Sequence, residues 1–183
     1  MTYQLRKLTY FDRKNRFFEI ILVGAAAAAG TDSNLTAARD NAAVYAVTYG
    51  ILVDNLVANC RKFDDRLKVK PDAALAAWRE RNLERASAAE SYLIYAHAAI
   101  ERELGPAAAE RFNKNTHALA RQKANVALND IFERTAPQFE VCERWMDAVA
   151  RGQADLGYEQ KYRATLDELV RFERDVRQGR PAR

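Results

Sequence analysis

From Tyr45 to Leu67 the apolar side chains recur every three or four positions: Tyr45, Tyr49, Leu52, Leu56, Cys60, Phe63 and Leu67. This spacing puts them on one face of a helix, predicted over 36–68, and Val53 and Val57 widen that face. Thr36 or Asp40 can cap its start, and Pro71 ends it. A helix with so broad an apolar face is held mainly by what packs on it, so this segment demands neighbouring helices.

The chain supplies them. In "KPDAALAAWRERN" Asp72 is a candidate N-cap, and Leu75, Trp78, Asn82, Ala86, Ala89, Leu93, Ala96, Ile100 and Leu104 form the stripe of a second helix. Gly105 and Pro106 stop it: glycine suits a left-handed C-terminal position, and proline opens the next helix. A third helix is predicted over 106–135, although Phe112, Leu119, Val126, Leu128, Ile131 and Phe132 do not fall on one narrow stripe. Pro137 separates it from a fourth in which Phe139, Cys142, Met146 and Val149 share a face, closed by Gly152. A fifth, over about 155–178, turns Tyr158, Tyr162, Leu166, Leu169 and Val176 inward.

No segment alternates apolar and polar residues with the β-branched enrichment a strand requires. With only seven glycines and four prolines in 183 residues, few positions oppose helix. The fold class is therefore all-α, an antiparallel bundle of four to five helices with short connections. Residues 31–183 are expected to form one helical-bundle domain, as no linker or repeat divides them.

Residues 1–30 admit two readings. Five basic residues face two acidic ones, a net of +3, and all of them precede an apolar run from Ile20 to Ala29. Ala27 and Ala29 then offer a small-residue cleavage site ahead of the polar "GTDSN". This is the plan of a secretory signal, and the run is too short for a permanent membrane span. Alternatively, Tyr3, Leu5, Leu8, Tyr10 and Phe11 belong to a first buried helix. The net charge of the whole chain is +4, so 24 basic residues against 23 acidic ones leave residues 31–183 almost neutral. Nucleic acid is an unlikely partner for that part of the chain, because polyphosphate binding rests on basic excess.

Few residues invite chemistry. Cys60 and Cys142 lie on predicted apolar faces: after export an even pair favours a disulfide, and in the cytosol two buried thiols. With neither a CxxC motif nor a close histidine, no metal site and no cofactor are expected. His97 and Glu101 lie four apart on the second helix and can face one side, as a solvated pair or as a weak acid–base candidate. Two histidines without an E-x-x-H motif do not make a di-iron bundle, and none of the serines sits in a nucleophile turn. Trp78, Arg81 and Asn82 form the more informative cluster: a buried amide fixing register against a neighbouring element, or one lip of a binding groove.

In order, Cys60, Trp78, Arg81, Asn82, Cys142, Gly152, Asp155 and Leu156 spell Cys…W-x-x-R-N…Cys…G-x-x-D-L. Over about residues 45–160 this resembles small exported helical proteins of proteobacteria. The resemblance implies export and a disulfide and carries no activity with it. The leader departs from the pattern in being poorer in leucine. The expected function is thus that of a non-enzymatic exported protein, periplasmic or secreted, acting by protein binding, with an immunity-type protein as one concrete version. The alternative is a cytosolic helical binding or regulatory module whose basic N-terminus contacts nucleic acid or an anionic membrane.

Overall fold

The structure is a computed structural model that describes residues 32–133, 137–158 and 160–180. The leader and its two readings, residues 1–30, lie outside the described residues. Five α-helices follow one another: α1 (Ala37–Cys60), α2 (Pro71–Leu104), α3 (Pro106–Phe132), α4 (Gln138–Ala150) and α5 (Gln160–Arg177). No strand occurs among the described residues. The chain is an all-α bundle, as the apolar spacing predicts.

Local chemistry explains the boundaries. Thr36 caps α1, its Oγ1 accepting the Arg39 N–H at 3.2 Å. A 3-10 segment, Arg61–Arg66, tightens the end of that helix, so the regular helix is shorter than the predicted 36–68. Asp72 is not the cap of α2. Lys70 holds the cap position and Pro71 the first helical one, while Asp72 pairs with Arg61 at 2.8 Å. Gly105, at φ 84°, ends α2 and donates its N–H to Glu101 O, and Pro106 opens α3.

The topology follows from which residues meet. α2 returns antiparallel to α1, so the Tyr92 hydroxyl donates to Asp40 at 2.6 Å. α3 turns back again and lies alongside α1, with Asn55 and Asn125 at 3.4 Å. The last two helices run in tandem along α2 in its own direction: Val149 O meets Arg81, Asp167 meets Arg85, and Glu173 meets Ser87 and Ser91. At 1.5 Å per residue α2 is about 50 Å long. It is covered on that side by a fourth helix broken into two pieces, α4 and α5. The arrangement is up-down-up-down with a split last member.

The core lies between α1, α2 and the split helix. Tyr45 stacks on Tyr162 with centroids 4.3 Å apart, and Phe172 meets Tyr92 and Tyr95 edge-on. The stretch Ala37–Arg66 is apolar enough by length and composition to cross a membrane, but most of that window is buried inside the bundle. α3 packs differently. Its buried residues are Ala109, Thr116, Ala120 and Ala124, small side chains that let the helix lie close. Tyr158 and Val176 depart from expectation: they are 55% and 46% exposed, and Tyr158 lies in the turn before α5. Leu104, at the end of the α2 stripe, is also exposed.

Two Tyr–Asp contacts fasten α2 to the start of α1. Burial and the adjacent Asp40 carboxylate push the Tyr92 hydroxyl above the usual tyrosine range. Burial and a hydrogen bond to Asp32 raise Tyr95 as well. At Asp32 burial acts upward, but hydrogen bonds from Tyr95 and Asn34 outweigh it and hold the carboxyl below its ordinary value. Because folding raises the Tyr92 value, its stabilising contribution is complete below the unfolded tyrosine pKa of about 10 and is lost as pH rises through the folded value. Alkaline titration followed by phenolate absorbance should show a delayed component that ionises only as the protein unfolds, and Tyr92→Phe should reduce that component by one tyrosine.

Cys60, at the end of α1, is bonded to Cys142 of α4 across 82 positions, with Cα atoms 5.4 Å apart and both residues fully buried. Phe63 and Phe139, each three residues from its cysteine, meet edge-on over this end of the bundle, and Arg66 stacks on Phe139 at 4.2 Å. The bridge is compatible with an oxidising compartment. In the chain-entropy picture so long a loop contributes about 4–5 kcal/mol. A Cys60→Ala/Cys142→Ala variant should therefore melt about 10–20 °C lower, given about 2–4 °C per kcal/mol at this size. An unchanged melting curve would show that the bridge constrains nothing.

Candidate functional site

The pattern residues Trp78, Arg81 and Asn82 and those from Gly152 to Leu156 meet at one place, the break between α4 and α5. α4 ends in a Schellman turn: Gly152, at φ 77°, donates to Val149 O at 3.3 Å, and Gln153 donates to Ala148 O at 2.9 Å. The Val149 and Ala150 carbonyls also receive the Arg81 guanidinium, at 2.5 and 3.3 Å. A cation suits this position, since a helix C-terminus carries partial negative charge.

The same guanidinium grips Asp155 through two hydrogen bonds, 2.8 and 3.1 Å, in the fork geometry that favours arginine over lysine. Asn82 completes the grip. Its amide donates to Asp155 Oδ1 at 3.0 Å and to Trp78 O at 2.7 Å, while its oxygen accepts the Leu156 N–H at 2.6 Å. Trp78 donates its indole N–H to Ala154 O at 2.7 Å. Asn82, Trp78, Ala154 and Leu156 are all buried. The amide therefore uses both its donors and its acceptor in a place without competing water, where an unpaired group would be costly.

One turn farther along α2, Arg85 repeats the pattern. It donates to Leu156 O at 2.8 Å and pairs with Asp167 of α5 at 2.8 Å. Arg163 donates to Gly157 O at 2.8 Å. Both turn glycines are doubly constrained. Each has positive φ, and a Cβ at Gly157 would lie 3.1 Å from the Arg85 guanidinium, at Gly152 2.9 Å from the Asp155 carboxylate.

Of the two sequence readings of Trp78, Arg81 and Asn82, the geometry matches an internal role in register: their polar atoms point into the break. Arg85, Arg163, Gly157 and Asp167 complete the cluster and were not singled out by sequence. The signal for Arg85 was its four-residue spacing from Arg81, which places the two arginines on adjacent turns of one helix.

His97 and Glu101 are not brought together with catalytic partners. His97 is half-buried and Glu101 exposed, and no hydrogen bond or ion pair joins them. No group of three or more His, Cys, Asp or Glu is spaced for a metal ion among the described residues. Ser87 and Ser91 both donate to Glu173 Oε1, at 3.0 and 2.8 Å, and Arg177 donates to the same oxygen at 2.6 Å. This carboxylate floors a cleft of about 420 Å³ between α2 and α5, walled by Leu83, Val170 and Arg174.

No family model, curated protein or solved structure matches this chain.

Replacing Asn82 with Ala leaves the buried Leu156 N–H without an acceptor and the Asp155 carboxylate with one donor fewer. About 2–4 kcal/mol of stability should be lost, from the net hydrogen bonds and the desolvated orphan together. Asp155→Asn, which keeps the shape but removes the charge facing Arg81, should lose less. Urea unfolding of both variants checks the order, and equal losses would contradict it.

Proposed function

We propose that the protein is a non-enzymatic helical protein, exported to the periplasm or secreted, that acts by binding another protein. An immunity-type protein that blocks an effector enzyme is one concrete form. The observation that carries this reading is the fully buried cystine between Cys60 and Cys142, a bond that forms and persists in oxidising compartments. The inward direction of the Trp78–Arg81–Asn82 cluster supports the non-enzymatic part, because its polar atoms are engaged in holding the fold. The exposed aliphatic side chains Leu83 and Ile94 of α2 support the binding part.

The competing reading is a cytosolic module whose basic N-terminal segment contacts nucleic acid or an anionic membrane. It draws on the net charge of +3 in residues 1–30. Edman sequencing of the protein from its native host separates the two. The exported reading expects a mature start near Gly30 or Thr31, and an intact Met1 would remove it. Capture from periplasmic extract should then return a protein partner, and its repeated failure under varied conditions would remove the binding reading.

A further inference from the structure

The solvent face of α2 is not an ordinary polar face. Glu80, Leu83, Glu90, Ile94 and Glu101 lie along it exposed, with the half-buried Ser87 and His97 between them at intervals of three and four residues; Ser87 donates to Glu173 of α5, and Leu83 borders the cleft beside that helix. The stripe lies opposite the core-facing residues Trp78, Asn82, Ala89, Tyr92 and Ala96 and is about 30 Å long. Leu83 and Ile94 are 68% and 70% exposed, the two highest values among the exposed large hydrophobic residues. Glu80, Glu90 and Glu101 are exposed and make no ion pair among the described residues. Glu84, at the edge, meets Arg174 of α5 at 3.6 Å. The nearest arginines are engaged elsewhere, Arg79 with Asp54, Arg174 with Glu84 and Arg177 with Glu173, so the three glutamates of the stripe keep their charge unpaired.

We propose that the stripe is the docking seam for a cationic amphipathic helix of a partner protein. The apolar knobs set the mode of contact: a helix laid along α2 covers Leu83 and Ile94 with its own apolar residues. The glutamates set the charge of that helix. A neutral or acidic helix would desolvate three carboxylates and return nothing, a cost that burial of unpaired charge makes prohibitive. Lysines or arginines flanking its apolar stripe would pair with them. A second copy of this chain is a poor occupant, because the same seam would bring glutamate against glutamate. The inference rests on the protein-binding reading above and names the surface and the chemistry of the partner.

The test uses the full-length oxidised protein and two synthetic amphipathic helices of about 20 residues, long enough to cover the seam. One is built from leucine and lysine, the other from leucine and glutamate in the same pattern. Calorimetric titration should show binding of the lysine peptide and none of the glutamate peptide. Leu83→Ser/Ile94→Ser and Glu80→Lys/Glu90→Lys/Glu101→Lys should each weaken the lysine peptide about tenfold or more, a change of about 1.4 kcal/mol. Glu133→Lys/Glu140→Lys, off the seam, should leave it unchanged, and thermal melts confirm that each variant folds. Failure of the lysine peptide to bind, equal binding of the glutamate peptide, or seam variants that bind like the parent would each overturn the proposal. A native partner retained equally by parent and seam variants would also overturn the seam while leaving the binding reading intact. Seam-dependent peptide binding with no partner captured from extract would confirm the chemistry of the seam but remove the binding reading, and with it the role of the seam as a docking site.

Discussion

The carboxylate of Asp155, held between Arg81 and Asn82, is the contact on which the second half of the bundle depends. A fourth helix broken in the middle exposes the last carbonyls of its first piece and the free amides of the turn. Those groups lie against α2, away from water, and need partners. Asp155 places the turn so that Arg81 reaches the Val149 and Ala150 carbonyls, and Asn82 reaches the Leu156 N–H. One ion pair and one amide thus position two helices. A break is useful here because α2 is long: two shorter helices can each adjust to its surface, where one straight helix would drift from it.

The splice and the cystine divide the fastening of α4 between them. The disulfide fixes its first turn to the end of α1, and the Schellman turn with Arg81 fixes its last. The two ties differ physically. The covalent one restricts the unfolded chain and leaves no polar group exposed when formed. The polar one acts in the folded state alone and requires each donor to find its acceptor, so it specifies one position of the turn. Thirteen residues of helix, with a modest apolar face, are held in place by ends as much as by packing.

The α1 face was legible because its residues are large: Tyr45, Tyr49, Leu52 and Leu56 leave no other face to bury, and all four are buried. α3 was obscure for the opposite reason. Its contact face is alanine and threonine, which apolar periodicity barely registers, while larger residues such as Val126 sit toward solvent. The fifth helix, expected from about 155, begins at Gln160. In the structure the Asp155 carboxylate serves α2 across the turn, a contact 74 positions away that no local pattern encodes. The inward faces of Cys60 and Cys142 were legible, with a disulfide after export or two buried thiols in the cytosol as the alternatives, whereas Arg85 and Gly157 became visible only once the turn was laid against α2.

The central place of α2 has a further consequence for its outer face. A helix that touches α1, α3 and both halves of the split helix keeps one side to solvent, and the stripe from Glu80 to Glu101 runs along it. Ordinary solvation would fill that stripe with mixed charges and i,i+4 pairs, as on most surface helices. Here it carries glutamates without cations and two bare aliphatics at seam spacing. Within the stripe Ser87 packs against α5 through Glu173, while the buried residues of α2 lie on other faces. Exposed glutamates are well solvated on their own; they need cations only when something covers them, and that is the condition under which the proposed cationic helix would gain from them.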